Sequence, residues 1–262
     1  MRCIAIEENA NELNFLVKQI EEVLPNIVIF HSTNPYEIID YCENNTVEIL
    51  FCEIEMTNIN GLELSKKIKE INPRINIIFI ASSDNYLHNA LSIHASGYII
   101  KPLSTNLITK EISNLLYPIQ AEMSGIYAKT FGNFEIFVNG RPIFFAREKA
   151  KEMLAYLIDR RGAMVNKKEI FSILFEDKPY NREAQNYFTK IFSELMKALK
   201  AANADKIIIK GYNRYGVDKT KFGCDLYEYL SGNPIAINMF NGEYMLQYEW
   251  AEYSIGGFYN SL

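Results

Sequence analysis

The chain has 262 residues, enough for two domains that each bury a core of their own. Its composition, 48 % hydrophobic and 23 % charged, excludes a disordered or fibrous protein. The net charge of −5 conceals a division: residues 1–121 carry 8 Lys/Arg against 15 Asp/Glu, whereas 127–222 carry 19 against 11. An acidic module joined to a basic one points to a polyanion as partner of the second half. No run approaches the ~18 apolar residues of a membrane helix. The N-terminus turns acidic by Glu7 and does not read as a signal peptide, so a cytoplasmic location without membrane contact is expected. Cys3, Cys42, Cys52 and Cys224 lie far apart and read as reduced, mostly buried thiols. The three histidines are too scattered for a zinc site, and neither a metal nor a cofactor is expected.

The first 118 residues alternate. The apolar run Cys3–Ile6 precedes a helical pattern over Asn11–Leu24, with Leu13, Leu16, Val17, Ile20 and Leu24 on one face. Pro25–Asn26 breaks the helix, and strand Ile27–Phe30 follows. Helix Tyr36–Glu43, strand Ile49–Cys52, helix Leu62–Ile71, strand Ile75–Ile80, helix Asn85–His94, strand Tyr98–Ile100 and helix Leu107–Leu116 complete the series. Five short apolar strands, each followed by an amphipathic helix, predict a doubly wound α/β fold, a five-stranded parallel sheet with helices on both faces. A site is expected at the carboxyl ends of the strands. There Glu7 and Glu8 follow the first strand, Glu53 and Glu55 the third, and Lys101–Pro102 the fifth.

The segments ILFCEIEMTNINGLEL, IIFIASSDNYLHNAL and GYIIKPL resemble, in order and spacing, the CheY-like receiver domains of bacterial response regulators. The resemblance implies a phosphoacceptor aspartate where this chain has Glu53, and a hydroxyl residue where it has Ala81. It places Glu7 and Glu8 at the metal-binding acid pair, Tyr98 at the switch aromatic and Lys101 at the conserved lysine. Glu53 is one methylene longer than aspartate, so its carboxylate is expected near the oxygens of a phosphorylated aspartate, in reach of Lys101. Without a hydroxyl at Ala81, the usual coupling to Tyr98 is weakened. Phosphorylation at Glu53 is therefore not expected, and magnesium binding by these glutamates should be weak. In this family the last strand and final two helices form the usual dimer face.

A linker is expected over 119–126, then an α+β winged helix-turn-helix domain over 127–222. Tyr127–Val138 alternates as a strand, Asn139–Gly140 signals a hairpin turn, and Pro142–Phe145 returns. Helices are expected over Arg147–Arg160, over Lys167–Leu174 capped by Asn166, and from Arg182 to about Ala201. In the third, Ala184, Phe188, Ile191, Leu195 and Leu199 form the apolar stripe. Lys206–Lys210 and Tyr215–Val217 form a closing basic hairpin. The stretch KTFGNFEIFVNGRPIFFAREKAKEMLAYLIDRRGAMVNKKEIFSILF, with SELMKAL and GYNRYGVD, resembles the DNA-binding domain of SARP-type regulators, relatives of the OmpR-type winged helix. The tail 223–262 is similar to the beginning of the helical-repeat domain of longer SARP-type proteins and is expected to pack as a short helical cap.

Opposite the apolar stripe, the third helix presents Arg182, Gln185, Asn186, Thr189, Lys190, Ser193 and Lys197. Amides and hydroxyls suit base edges and lysines suit phosphates. Lys167 and Lys168 stand at a helix N-terminus that favours a phosphate, and Arg214 on the wing suits a minor groove. Glu194 and Met196 stand where the family usually has basic residues, which weakens single-chain binding and makes dimerisation matter more. The expected function is a DNA-binding transcriptional regulator with a degenerate receiver, working as a phosphorylation-independent homodimer on double-stranded DNA, with RNA polymerase as a further partner. A scaffold that has lost DNA binding, or a regulator accepting phosphate at an atypical residue, are the alternatives. No nucleophile–base pair or phosphate-cradling glycine loop suggests an enzyme.

Overall fold

In the computed structural model, residues 1–25, 27–119, 125–175 and 178–256 are described. The chain divides into two compact units, Met1–Ala121 with Ile237–Met239, and the remainder. The first is an α/β unit: β1 (Arg2–Ile6), α1 (Ala10–Val23), β2 (Val28–Ser32), α2 (Pro35–Asn44), β3 (Ile49–Glu53), α3 (Gly61–Ile71), β4 (Asn76–Ala81), α4 (Leu87–Ser92), β5 (Gly97–Ile100) and α5 (Thr105–Ile112). The five strands are parallel in the order β2-β1-β3-β4-β5. The inner strands β3 and β4 are buried along their whole length, because helices cover both faces, α1 beside α5 and α2 beside α3. The order reverses at β1, which puts a crevice between the carboxyl ends of β1 and β3.

Local chemistry sets where the helices begin. Asn9 accepts from the backbone N–H groups of Asn11 and Glu12, and Asn34 caps α2 ahead of Pro35. Ser104 accepts from the N–H of Leu107, so α5 begins at Thr105 and ends at Ile112, short of the expected Leu116. Helix α4 contracts from the expected ten residues to six, since Tyr86 gives it no side-chain cap. The start of α3 crowds the crevice: a Cβ on Gly61 would lie 2.1 Å from the carbonyl oxygen of Glu53. Only glycine permits that approach.

The second unit contains β6 (Ile126–Lys129), β7 (Glu135–Val138), β8 (Arg141–Pro142), α6 (Glu148–Asp159), β9 (Val165–Asn166), α7 (Lys167–Leu174), α8 (Arg182–Ala201), β10 (Ile208–Gly211), β11 (Arg214–Val217), β12 (Gly223–Cys224), α9 (Asp225–Leu230), the first half of α10 (Pro234–Met239), whose residues 237–239 belong to the first unit, and α11 (Ala251–Ile255). Its strands form sheets in the orders β12-β6-β7-β8 and β10-β11-β9. Helices α7 and α8 both pack against α6, an α+β arrangement consistent with a winged helix. The five apolar positions of α8 are its buried residues.

Three expectations for this half need correction. The single strand over 127–138 is a hairpin of β6 and β7, turned at Gly132, whose φ of +71° suits glycine. Strand alternation runs unchanged through that turn, so the pattern hides it. The returning strand Pro142–Phe145 shortens to Arg141–Pro142, although Asn139 and Gly140 do turn the chain with φ of +49° and +73°. The tail is more than a helical cap, because β12 adds to the sheet in parallel with β6. At the start of α9 the buried Asp225 carboxylate accepts from the N–H groups of Thr130, Phe131 and Leu226 and from the Thr130 hydroxyl, at 2.6–3.0 Å. Farther on, the Gln247 amide accepts from the N–H and donates to the carbonyl of Phe134. Of the expected linker, 120–124 lie outside the described residues, as does the tail beyond Gly256. No helix among the described residues is long and apolar enough to cross a membrane. All four cysteines are free and buried.

Candidate functional site

Glu7, Glu53 and Lys101 leave the ends of β1, β3 and β5 and converge on the crevice at the switch point. The Lys101 ammonium donates to the carboxylates of Glu53, of Glu12 at 2.5 Å and of Glu7 at 3.4 Å. Glu7 and Glu53 are almost wholly buried, and Lys101 keeps a quarter of its side chain exposed. Burial acts to lower the Lys101 pKa, but hydrogen bonds to Glu12 and Glu53 and the charges of Glu7 and Glu53 outweigh it and raise the value. Glu7 is pushed up to about 8, first by burial and then by hydrogen bonding and repulsion with Glu53, against the pull of Lys101. Its Oε1 is buried with no hydrogen-bond partner among the described residues.

The other expected pocket residues are placed differently. Glu8 lines the same cleft, of about 360 Å³, but turns to the Thr57 hydroxyl. Ala81 ends β4 fully buried, and the next residue, Ser82, reaches the cleft, its N–H bonded to Glu55. The Tyr98 hydroxyl donates to the carbonyl of Ser83 at 2.7 Å, tying β5 to the β4–α4 loop. Glu12 joins the cluster although no sequence motif singles it out. What signal there is lies in the Asn9–Glu12 spacing of a helix start placed directly after β1, which hangs the first turn of α1 over the strand ends.

Glu7, Glu12 and Glu53 bring carboxylate oxygens within 4.8 Å of one another. A divalent cation nevertheless does not fit, because the Lys101 ammonium already bonds all three, and Glu8 is engaged elsewhere. The cluster supplies its own cation.

This geometry has a pH signature. Folded Glu7 holds its proton up to about pH 8, whereas the ordinary value is 4.5. Between those values the folded form binds the extra proton, so its contribution to stability is complete below about 4.5 and is lost as pH rises toward 8. The slope reaches up to about 1.4 kcal/mol per pH unit. Glu7→Gln is expected to flatten this dependence in urea unfolding followed at several pH values. Wild-type and variant curves that stay parallel would mean that Glu7 is ionised in the fold.

The second unit carries the other candidate surface. Arg182, Gln185, Asn186, Thr189, Lys190, Ser193 and Lys197 are all exposed, along one side of the 20-residue α8. The Thr189 hydroxyl donates back to the Gln185 carbonyl at 2.8 Å, which leaves its oxygen as an acceptor. Glu194 is half-buried at the border of this face. Asn166 caps α7, accepting from the N–H of Glu169, and puts exposed Lys168 in the first turn. Lys167 is half-buried, its ammonium 5.0 Å from the centre of the Phe188 ring on α8. Exposed Arg214 pairs across the sheet with Asn166, so the wing and the start of α7 lie side by side.

The switch-point crevice holds an acid from β1, an acid from β3 and a lysine after β5, and residues 4–113 around it match the model of the response regulator receiver domain family. Among similar proteins is the response regulator ArlR of Staphylococcus saprophyticus, 22 % identical over 213 residues, covering 79 % of this chain and 94 % of that protein. The sensory transduction protein LytR of Staphylococcus haemolyticus is 27 % identical over 109 residues, or 42 % of this chain. The chain spans only 41 % of that relative's length. A similar solved structure is the response regulator DrrB of Thermotoga maritima, an OmpR/PhoB homologue. It covers 82 % of this chain and 98 % of its own, at 15 % identity and a TM-score of 0.38.

Proposed function

We propose that this chain is a DNA-binding transcriptional regulator of the response-regulator type, acting in the cytoplasm as a homodimer held by its receiver domain and needing no phosphoryl group. The observation that carries this reading is the exposed row of amides, hydroxyls and cations on α8, in a unit rich in Lys and Arg. Bases are read by Gln185, Asn186, Thr189 and Ser193, and phosphates are held by Lys168, Arg182, Lys190, Lys197 and Arg214. Lys167, drawn against Phe188, contributes its charge from the edge of the same surface. Domain limits of 1–118 for the receiver and 127–222 for the winged helix follow the sequence resemblance, with 223–262 as an appended tail. The bond between Glu53 and Lys101 supports independence from phosphate, because the lysine that would meet a phosphoryl oxygen already holds a carboxylate.

Selection from a random duplex pool tests both parts. The untreated protein is expected to enrich a defined sequence, and treatment with a small acyl phosphate and magnesium is expected to change neither that sequence nor the intact mass. A stoichiometric phosphoryl adduct would overturn the phosphate-independent part. Failure to retain any duplex at low salt would favour a scaffold without DNA binding.

A further inference from the structure

We infer that Tyr212, at the tip of the β10–β11 hairpin, is a non-ionic DNA-contact residue whose ring lies against the deoxyribose wall of the groove beside the one α8 enters. This rests on the DNA-binding reading above and adds to it a residue that charge and base-reading arguments pass over. Strands β10 and β11 pair from Ile208↔Val217 to Gly211↔Arg214, which leaves Tyr212 and Asn213 as the turn. Tyr212 is 93 % exposed, so its ring contributes nothing to the core of its unit. Exposed cations flank it, Lys210 on one strand and Arg214 on the other.

The tip is held in place from several directions. The N–H of Lys167 donates to the carbonyl of Asn213 at 3.0 Å, fastening the turn to the start of α7. One residue past Arg214, the Tyr215 ring packs against two successive turns of α8, 5.3 Å from the Phe188 ring and 4.7 Å from Phe192. Cations extend this aromatic ladder at both ends, with Lys167 over Phe188 and the Lys210 ammonium 5.6 Å from the Phe192 ring. The wing therefore keeps a set position relative to α8. A ring delivered by such a tip loses little freedom on binding, since tyrosine has two side-chain torsions and its backbone is already fixed.

The chemistry suits one kind of surface. A tyrosine ring offers an apolar face for sugar C–H groups and a hydroxyl that donates to a phosphate oxygen, while Lys210 and Arg214 take the phosphates on either side. Such a contact releases no counterion, whereas each cation that neutralises a phosphate does. The two kinds of contact are thus separable by salt.

The test measures duplex affinity of the full chain across a range of salt, using a duplex recovered from the pool. Tyr212→Ala is expected to bind about tenfold more weakly at every salt concentration. Its slope of log affinity against log salt should equal that of the wild type. Arg214→Ala, by contrast, should lower the slope by about 0.9. Tyr212→Phe should stay within about threefold of the wild type, because the ring is retained. Thermal unfolding of Tyr212→Ala should be unchanged, as the side chain touches no core. Wild-type affinity in Tyr212→Ala would overturn the inference while leaving DNA binding intact. A wild type that binds no duplex would remove both.

Discussion

Lys190→Ala combined with Lys197→Ala is expected to weaken duplex binding on the order of 50-fold at low salt, with a fall in the salt slope of about 1.8. The two lysines lie on the exposed side of α8, seven residues and about two helical turns apart, so both ammoniums can follow one groove wall. Both are exposed and neither belongs to the buried stripe of Ala184, Phe188, Ile191, Leu195 and Leu199, so folding should be spared. The loss should be similar on selected and random duplexes, because phosphates carry no sequence. Binding by fluorescence anisotropy at several salt concentrations decides it. An unchanged affinity would mean that the polar side of α8 faces something other than nucleic acid.

The second large effect belongs to the first unit. Lys101→Ala is expected to destabilise that unit by about 3 kcal/mol at neutral pH, since two buried carboxyl groups would lose the cation between them. The figure is taken at the lower end for a buried pair because Lys101 is a quarter exposed and water can partly replace it. Exchanging the whole group, with Lys101→Met and Glu53→Gln together, should cost less than Lys101→Ala alone. Urea midpoints at pH 5 and pH 8 measure all of this. A loss below about 1 kcal/mol at both would show that solvent already screens the cluster.

Much of this molecule can be read in its residues, and the failures have physical causes. The alternation of strand and helix through Ile100 was legible because β3 and β4 are continuous apolar runs and the early helices carry an asparagine cap. Helix α8 was legible because its apolar positions recur at three- and four-residue intervals. The turn at Gly132 was not, since one glycine within an alternating run also marks a bulge. Two-residue strands such as β9 and β12 leave no periodicity to detect. In the acidic crevice, residue types placed Glu7, Glu53 and Lys101 together. They did not reveal that Glu12 would join them, or that Glu8 would turn to Thr57, because rotamers at the end of a strand depend on neighbours supplied by other loops.

The Asp225 carboxylate has a consequence for how this protein is made. The backbone N–H groups of Thr130 and Phe131, near the beginning of the second unit, find their acceptor 94 to 95 residues later. During synthesis the segment from β6 through the β10–β11 hairpin therefore lacks this acceptor, its donors left to water, until α9 has left the ribosome. A nascent chain halted just after Phe222 would present an unfinished sheet edge at β6, open to pairing with other chains.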